Sequence, residues 1–107
     1  MKTIAIAAER NSLQSPLAHR AGQCPWFCIR KEDGSIEFVE NPGYNAKAAF
    51  GVHAFMFLKS QNIDGIVGRF FGPRFQKMSK DSGISLMVPP QHINKVKDII
   101  ETFNSNQ

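Results

Sequence analysis

The tightest local constraint in this chain is Asp33-Gly34, which follows Lys31-Glu32 and sits between two apolar-rich runs, Trp26 to Arg30 and Ile36 to Glu40. Asp-Gly suits the positive-φ geometry of tight hairpin turns. The two runs are therefore expected to pair as antiparallel strands. Lys2 to Ala8 reads as a further strand, and its small Ala5 and Ala7 leave room for a helix packed above. Glu9 to Gln23 has no clean period and reads as a long loop, a kind of segment that in a compact domain is usually functional or mobile.

Asn41-Pro42-Gly43-Tyr44-Asn45 breaks the chain, and Asn45 is a suitable N-cap for a helix over Ala46 to Gln61. Ala48, Val52 and Phe55 mark its apolar stripe, widened by Ala49, Met56 and Phe57. Gly65 to Gly68 reads as a short buried strand and Arg69 to Gly72 as a loop. Pro73 opens a helix over Arg74 to Asp81 that ends at Gly83. Ile84 to Val88 is a fifth strand, stopped by Pro89-Pro90. Gln91 to Phe103 is the last helix, with Ile93, Val96, Ile99, Ile100 and Phe103 at helical spacing. The tail from Asn104 to Gln107 reads as frayed.

The order βββαβαβα predicts an α/β fold: a five-stranded mixed sheet with helices on both faces. Right-handed crossovers place the fourth strand beside the first and the fifth outside it, giving the order 3-2-1-4-5. At 107 residues the expectation is a single domain over 1–107. No apolar run approaches the ~18 residues needed to span a bilayer. The N-terminal apolar run is too short for a signal-peptide core, so a cytoplasmic location is expected.

Thirteen Lys and Arg against nine Asp and Glu leave a net charge of +4. The distribution is uneven. Glu32, Asp33, Glu37 and Glu40 gather at the hairpin, whereas Lys47, Lys59, Arg69, Arg74, Lys77 and Lys80 face only Asp64 between Glu40 and Asp81. A basic region of this kind favours an anionic ligand or partner. The two cysteines, Cys24 and Cys28, would lie about 13 Å apart on one strand, too far for a disulfide.

In this topology strands 1, 3, 4 and 5 end, and strand 2 begins, at one edge of the sheet. The loops Glu9 to Cys24, Asn41 to Asn45, Arg69 to Pro73 and Pro89 to His92 then rim one crevice, where open α/β sheets bind ligands. Arg10, His19, Arg20, Cys24, Arg69, Arg74 and His92 lie on that rim, with Asn41, Asn45 and Gly72 in its turns. Two helix N-termini add backbone N–H groups suited to an anion. Phe70 and Phe71 cannot both face inward at one short strand end, so one is expected to wall the crevice, and Phe71 is assigned that place. Cys28, a strand length away, reads as a core thiol, and His53 as a helix-face or core histidine.

The stretches Ile4-Ala5-Ile6-Ala7, Gly22-Gln23-Cys24-Pro25-Trp26-Phe27, Glu40 to Ala46 with Gly51, Gly68-Arg69-Phe70-Phe71-Gly72-Pro73 and Ser82-Gly83-Ile84 together resemble the dinitrogenase iron-molybdenum cofactor biosynthesis family. The resemblance covers Lys2 to about Val88. It implies a ribonuclease-H-like fold. It also implies binding of iron-molybdenum cofactor precursors or iron–sulfur clusters, or, as in the orange proteins of anaerobes, a noncovalently held molybdenum–copper sulfide cluster. Such clusters are anionic, which suits a rim of arginines and amides, and their metals suit soft sulfur or imidazole ligands, here Cys24 and His19. One departure is local: the family usually reads His-Phe-Gly-Arg before the Ala/Cys-Pro pair, and here the chain reads His19-Arg20-Ala21-Gly22-Gln23.

The expected function is that of a small, monomeric carrier of an anionic metal–sulfur cluster, without catalytic activity. The alternative is an interaction module partnering a nucleotide-binding ATPase or another cofactor-biosynthesis protein. A nuclease is excluded because its two-metal chemistry needs several carboxylates and the rim offers only Glu9. Nucleic-acid binding has thin support, since aromatic and basic residues alternate only at Arg69-Phe70-Phe71 and Arg74-Phe75. No phosphate-loop, Ser-His-Asp or metalloprotease signature is present.

Overall fold

The computed structural model describes residues 2–105. Five strands, β1 (Ile4–Ala8), β2 (Trp26–Arg30), β3 (Ile36–Glu40), β4 (Gly65–Val67) and β5 (Ser85–Met87), and three α-helices, α1 (Phe50–Ser60), α2 (Pro73–Ser82) and α3 (Val96–Ser105), follow one another in the order βββαβαβα. The sheet order is β3-β2-β1-β4-β5, as expected from the hairpin and the crossovers. β1 pairs antiparallel with β2 and parallel with β4, and β5 continues the parallel side. The hairpin places Cys28 opposite Phe38 and Trp26 opposite Glu40.

Strand parity divides the core. Ala5, Ala7, Phe27, Ile29 and Ile66 face α1 and α2, where they meet Ala54, Phe55, Leu58 and Phe75. Ile4, Ile6, Cys28 and Val67 face α3 and meet Val96, Ile99 and Ile100. The small side chains of Ala5 and Ala7 let α1 sit close over the central strand. Every residue of β1 is buried, because helices cover both of its faces. Among the described residues no helix is long and apolar enough to cross a membrane.

The differences from expectation that bear on packing lie at three boundaries. α1 begins at Phe50, four residues after Ala46, and Asn45 is not its cap. Backbone bonds from Tyr44 to Asn41 and from Ala46 to Gly43 close successive turns, and Ala49 takes the left-handed conformation at φ 56°, which a helix cannot continue through. α3 begins at Val96 rather than Gln91. The backbone of residues 94–97 is held by the Glu9 to Gln23 loop: Leu17 N–H donates to Asn94, Val96 to Ser15 and Lys97 to Leu13. That loop is itself anchored, with Ala8 bridged to Leu17 and Pro16 to Lys95, and with Ser15 Oγ buried and accepting from the amides of Glu9 and Arg10.

The third difference is at the C-terminal end. The helix runs through Asn104, whose Oδ1 accepts from Arg30 Nε at 2.9 Å and Nη2 at 2.6 Å. Arg30 is only 2% exposed, so Asn104 is a structural partner of a buried cation and not part of a frayed tail. Asn106 and Gln107 lie outside the described residues.

Candidate functional site

The first turn of any α-helix leaves N–H groups without intrahelical acceptors. At α1 no side chain caps the helix and no acid lies in the first turn. The same holds at α2, where Gly72 occupies the cap position and Pro73 follows. Both positive helix ends are thus uncompensated by the chain's own side chains. They converge on one crevice of about 250 Å³, lined by residues 49–52 of the first helix start, residues 72–75 of the second, and Arg20, Gly22, Gln23 and Phe70.

Close backbone approach shapes the floor. A Cβ on Gly22 would lie 3.0 Å from the Gly51 Cα, so the 3-10 turn over Ala21–Gln23 sits directly against the start of α1. The opposite wall is fixed by a parallel bridge between Arg20 and Phe70 and by the Ala21 N–H donating to the Phe70 carbonyl at 3.2 Å. The Arg20 guanidinium lies over the Phe70 ring, 4.9 Å from its centroid, a cation–π arrangement that holds the charge at the mouth. Arg74 supplies a second cation from the first turn of α2.

The aromatic wall is Phe70, 42% exposed, and not Phe71, which is 6% exposed. Phe71 turns inward onto Phe75 at 5.5 Å, and Phe75 meets Phe55 edge-on at 5.4 Å. Burial of the second ring is what releases the first.

The other expected rim residues have separate placements. Arg69 is turned onto the loop before α3: its guanidinium donates to the carbonyls of Pro89 (2.6 Å), Pro90 (3.2 Å) and Ile93, and to Asn94 Oδ1 (2.9 Å). Its fork is occupied by protein acceptors. Asn41 is buried; its Nδ2 donates to the Cys24 carbonyl at 2.8 Å and its Oδ1 accepts from Gly43 N–H at 2.8 Å. Asn45 opens onto a different pocket. Arg10 is exposed and reaches the Gln14 carbonyl at 3.4 Å. His19 and His92 are exposed and neither lines the crevice.

Cys24 is not at the surface of the rim. It is 1% exposed, with its Sγ–H donating to the Ala21 carbonyl at 3.3 Å. Burial pushes its pKa up to about 12, against smaller opposing effects from hydrogen bonds to Ala8 and Asn41. Cys28 is buried in the core as expected, and desolvation also raises its pKa to about 12. Both are free thiols. Among the described residues no group of three or more His, Cys, Asp or Glu side chains gathers where it could hold a metal ion.

Of the expected site residues, then, the crevice brings together Arg20 and Gly72, with Arg74 beside them. Residues 49–52 reach the crevice because α1 starts at Phe50, four residues beyond the expected Ala46. The asymmetry of Phe70 and Phe71 was signalled only by their adjacency.

The sequence model of the family described as "Dinitrogenase iron-molybdenum cofactor" matches residues 2–106. A search of the curated proteins finds no match. Among solved structures, the apo orange protein of Desulfovibrio gigas is similar at TM-score 0.86 and 20% identity, covering 100% of this chain and 90% of that one. The protein PH0822 is similar at TM-score 0.78 and 20% identity, covering 98% and 92%. A Thermotoga protein, TM1290, provisionally named NifB and placed in the DUF35 family, is similar at TM-score 0.77 and 23% identity, covering 98% and 89%. At these identities the likeness to the three structures is one of fold.

Proposed function

The chain belongs to the dinitrogenase iron-molybdenum cofactor family, and on that footing we propose that it is a binding protein, not a catalyst, whose cargo is an anionic metal–sulfur cluster seated between the starts of α1 and α2. The observation that supports this reading is the convergence of two uncapped helix N-termini on a crevice that also presents Arg20 and Arg74. Oriented amides and guanidinium groups attract negative charge without forming metal bonds. The crevice, at about 250 Å³, falls just below the roughly 300 Å³ at which pockets for organic ligands begin, a size suited to a compact inorganic anion.

The donor set fits a cluster whose sulfur ligands arrive with the metal. The Cys24 thiol is protonated and hydrogen-bonded beneath the rim, and His19 stands apart from the crevice. Apolar Phe70, Phe50 and Val52 offer a dry wall to polarizable sulfides, while the amides and arginines balance their charge. The cargo is of the molybdenum–copper sulfide, iron–molybdenum precursor or iron–sulfur kind, handled in the cytoplasm and passed to a cofactor-biosynthesis partner.

Titration of the apoprotein with tetrathiomolybdate, with and without copper, tests the proposal through absorption and amide chemical shifts. Shifts are expected at residues 20–23, 49–52 and 70–75. Shifts confined to Cys28, His53 and Lys59, or none at all, would overturn it. Metal analysis of protein purified without oxygen then identifies the cargo.

A further inference from the structure

The acidic hairpin takes no part in the crevice. β3 carries Glu37 and Glu40 and lies at the end of the sheet, with β2 on one side and no strand on the other among the described residues. Its outer N–H and C=O groups are a template for another chain. Lys31 reaches Glu37 at 3.9 Å in an exposed pair. Glu40 has no ion-pair partner among the described residues.

The strand runs into a pocket of about 400 Å³ lined by Trp26, Tyr44, Phe57, Pro25 and Pro42 around Glu40. Trp26 stands opposite Glu40 in the ladder and packs with the α3-side core, whereas Phe57 packs with the α1-side core. The pocket therefore wraps the sheet edge and is not confined to one face. Tyr44 is 52% exposed. No Lys, Arg or His is among the lining residues, and none of them is shared with the crevice. Aromatic faces attract cations, and an adjacent carboxylate adds to that attraction.

We propose that the outer edge of β3 and this pocket together dock an extended, basic segment of a partner protein. The segment adds as a strand along Ile36–Glu40 and delivers a Lys or Arg side chain into the pocket lined by Trp26 and Tyr44, with Glu40 as counter-charge. Strand addition supplies main-chain hydrogen bonds, and the pocket selects the side chain. Charged side chains on an edge strand also deter self-association, but that role needs no aromatic pocket at the strand's end. The site is independent of the cargo reading, since it uses different residues and the opposite charge.

Trp26 is the only tryptophan, so its fluorescence reports on this pocket. The full chain is titrated with a ten-residue peptide alternating Lys and Val, and with the same peptide carrying Glu for Lys. A saturable change in Trp26 emission is expected with the basic peptide alone, with amide shifts along Ile36–Glu40. Glu40→Gln and Tyr44→Ala, both at exposed positions, should each weaken the basic peptide about three- to fivefold while leaving the circular dichroism spectrum unchanged. Lys59→Ala should leave binding as it is. No saturable response, an equal response to the acidic peptide, shifts confined to residues 32–34, or unaltered affinity in both pocket variants would each overturn the proposal.

Discussion

The side-chain amide of Asn41 donates to the carbonyl oxygen of Cys24 at 2.8 Å, and the same residue's Oδ1 accepts from the Gly43 N–H at 2.8 Å. One buried side chain thus joins the segment entering β2 to the turn that precedes α1. Those two segments set the position of the 3-10 turn and of the first helix start, which meet at Gly22 and Gly51.

Asn41→Ala removes both bonds and leaves a buried carbonyl and a buried amide without partners. Each such loss costs about 1–3 kcal/mol. The expected result is a fall in urea midpoint with the slope unchanged. A midpoint within error of the parent would refute the structural role given to Asn41.

Both thiols should be inert. Cys24 and Cys28 are buried and their pKa values are raised to about 12. A thiol reagent at pH 8 should label neither until denaturant is added. Rapid labelling of native Cys24 would show that it lies at the surface after all.

The same shifts give a pH dependence with a definite sign. Above the ordinary thiol pKa of 9.0 the unfolded chain releases protons that the folded chain retains. The thiols' contribution to stability should therefore be level below pH 9 and fall between pH 9 and about 12, by at most ~1.4 kcal/mol per pH unit for each thiol. Urea titrations at pH 8, 9.5 and 10.5 measure it. Cys24→Ala should flatten the slope, and an equal slope in that variant would assign the effect elsewhere.

Three arginines of the expected rim should separate by readout. Arg20→Ala and Arg74→Ala are expected to weaken tetrathiomolybdate binding by about 1–3 kcal/mol each, with affinity falling as salt rises. Arg69→Ala should instead lower stability by about 1–3 kcal/mol, because its partners are the carbonyls of Pro89 and Pro90 and the Asn94 side chain. Calorimetric binding and thermal unfolding of the three variants decide it, and a pure binding defect in Arg69→Ala would contradict its placement.

Asn104→Ala deprives the buried Arg30 of the acceptor for two of its N–H groups. A loss of about 1.5–3 kcal/mol is expected, measurable by chemical denaturation. A neutral outcome would return Asn104 to the status of tail.

Local chemistry made much of the fold legible in advance. Asp33-Gly34 marked the hairpin, Pro73 and Gly83 bracketed α2, and the small residues of β1 announced the helix above it. What escaped was set by contacts distant in sequence. Asn45 has the chemistry of a cap, but its turn closes on itself, and the left-handed Ala49 has no side-chain signature. Nothing near Arg69 shows that carbonyls twenty residues later take up its guanidinium. The periodicity of Ile93 with Val96 suggests helix, yet residues 94–97 are paired with the loop that carries Leu13, Ser15 and Leu17, far earlier in the chain. At the crevice the structure brings together only part of the expected rim, and which of two adjacent rings turns inward depends on Phe75 and Phe55 across the core.

The contact between Gly22 and Gly51 also bears on how this crevice could be re-engineered. At that contact backbone meets backbone, so a scan that replaces side chains one at a time would probe Arg20, Phe70 and Arg74 but not the spacing of the backbone between them. A methyl group at position 22 would act differently, wedging the 3-10 turn away from α1 and shifting several amides together. For the anion proposed to bind there, ligand preference would then depend on helix spacing as much as on residue identity, with position 22 as the lever.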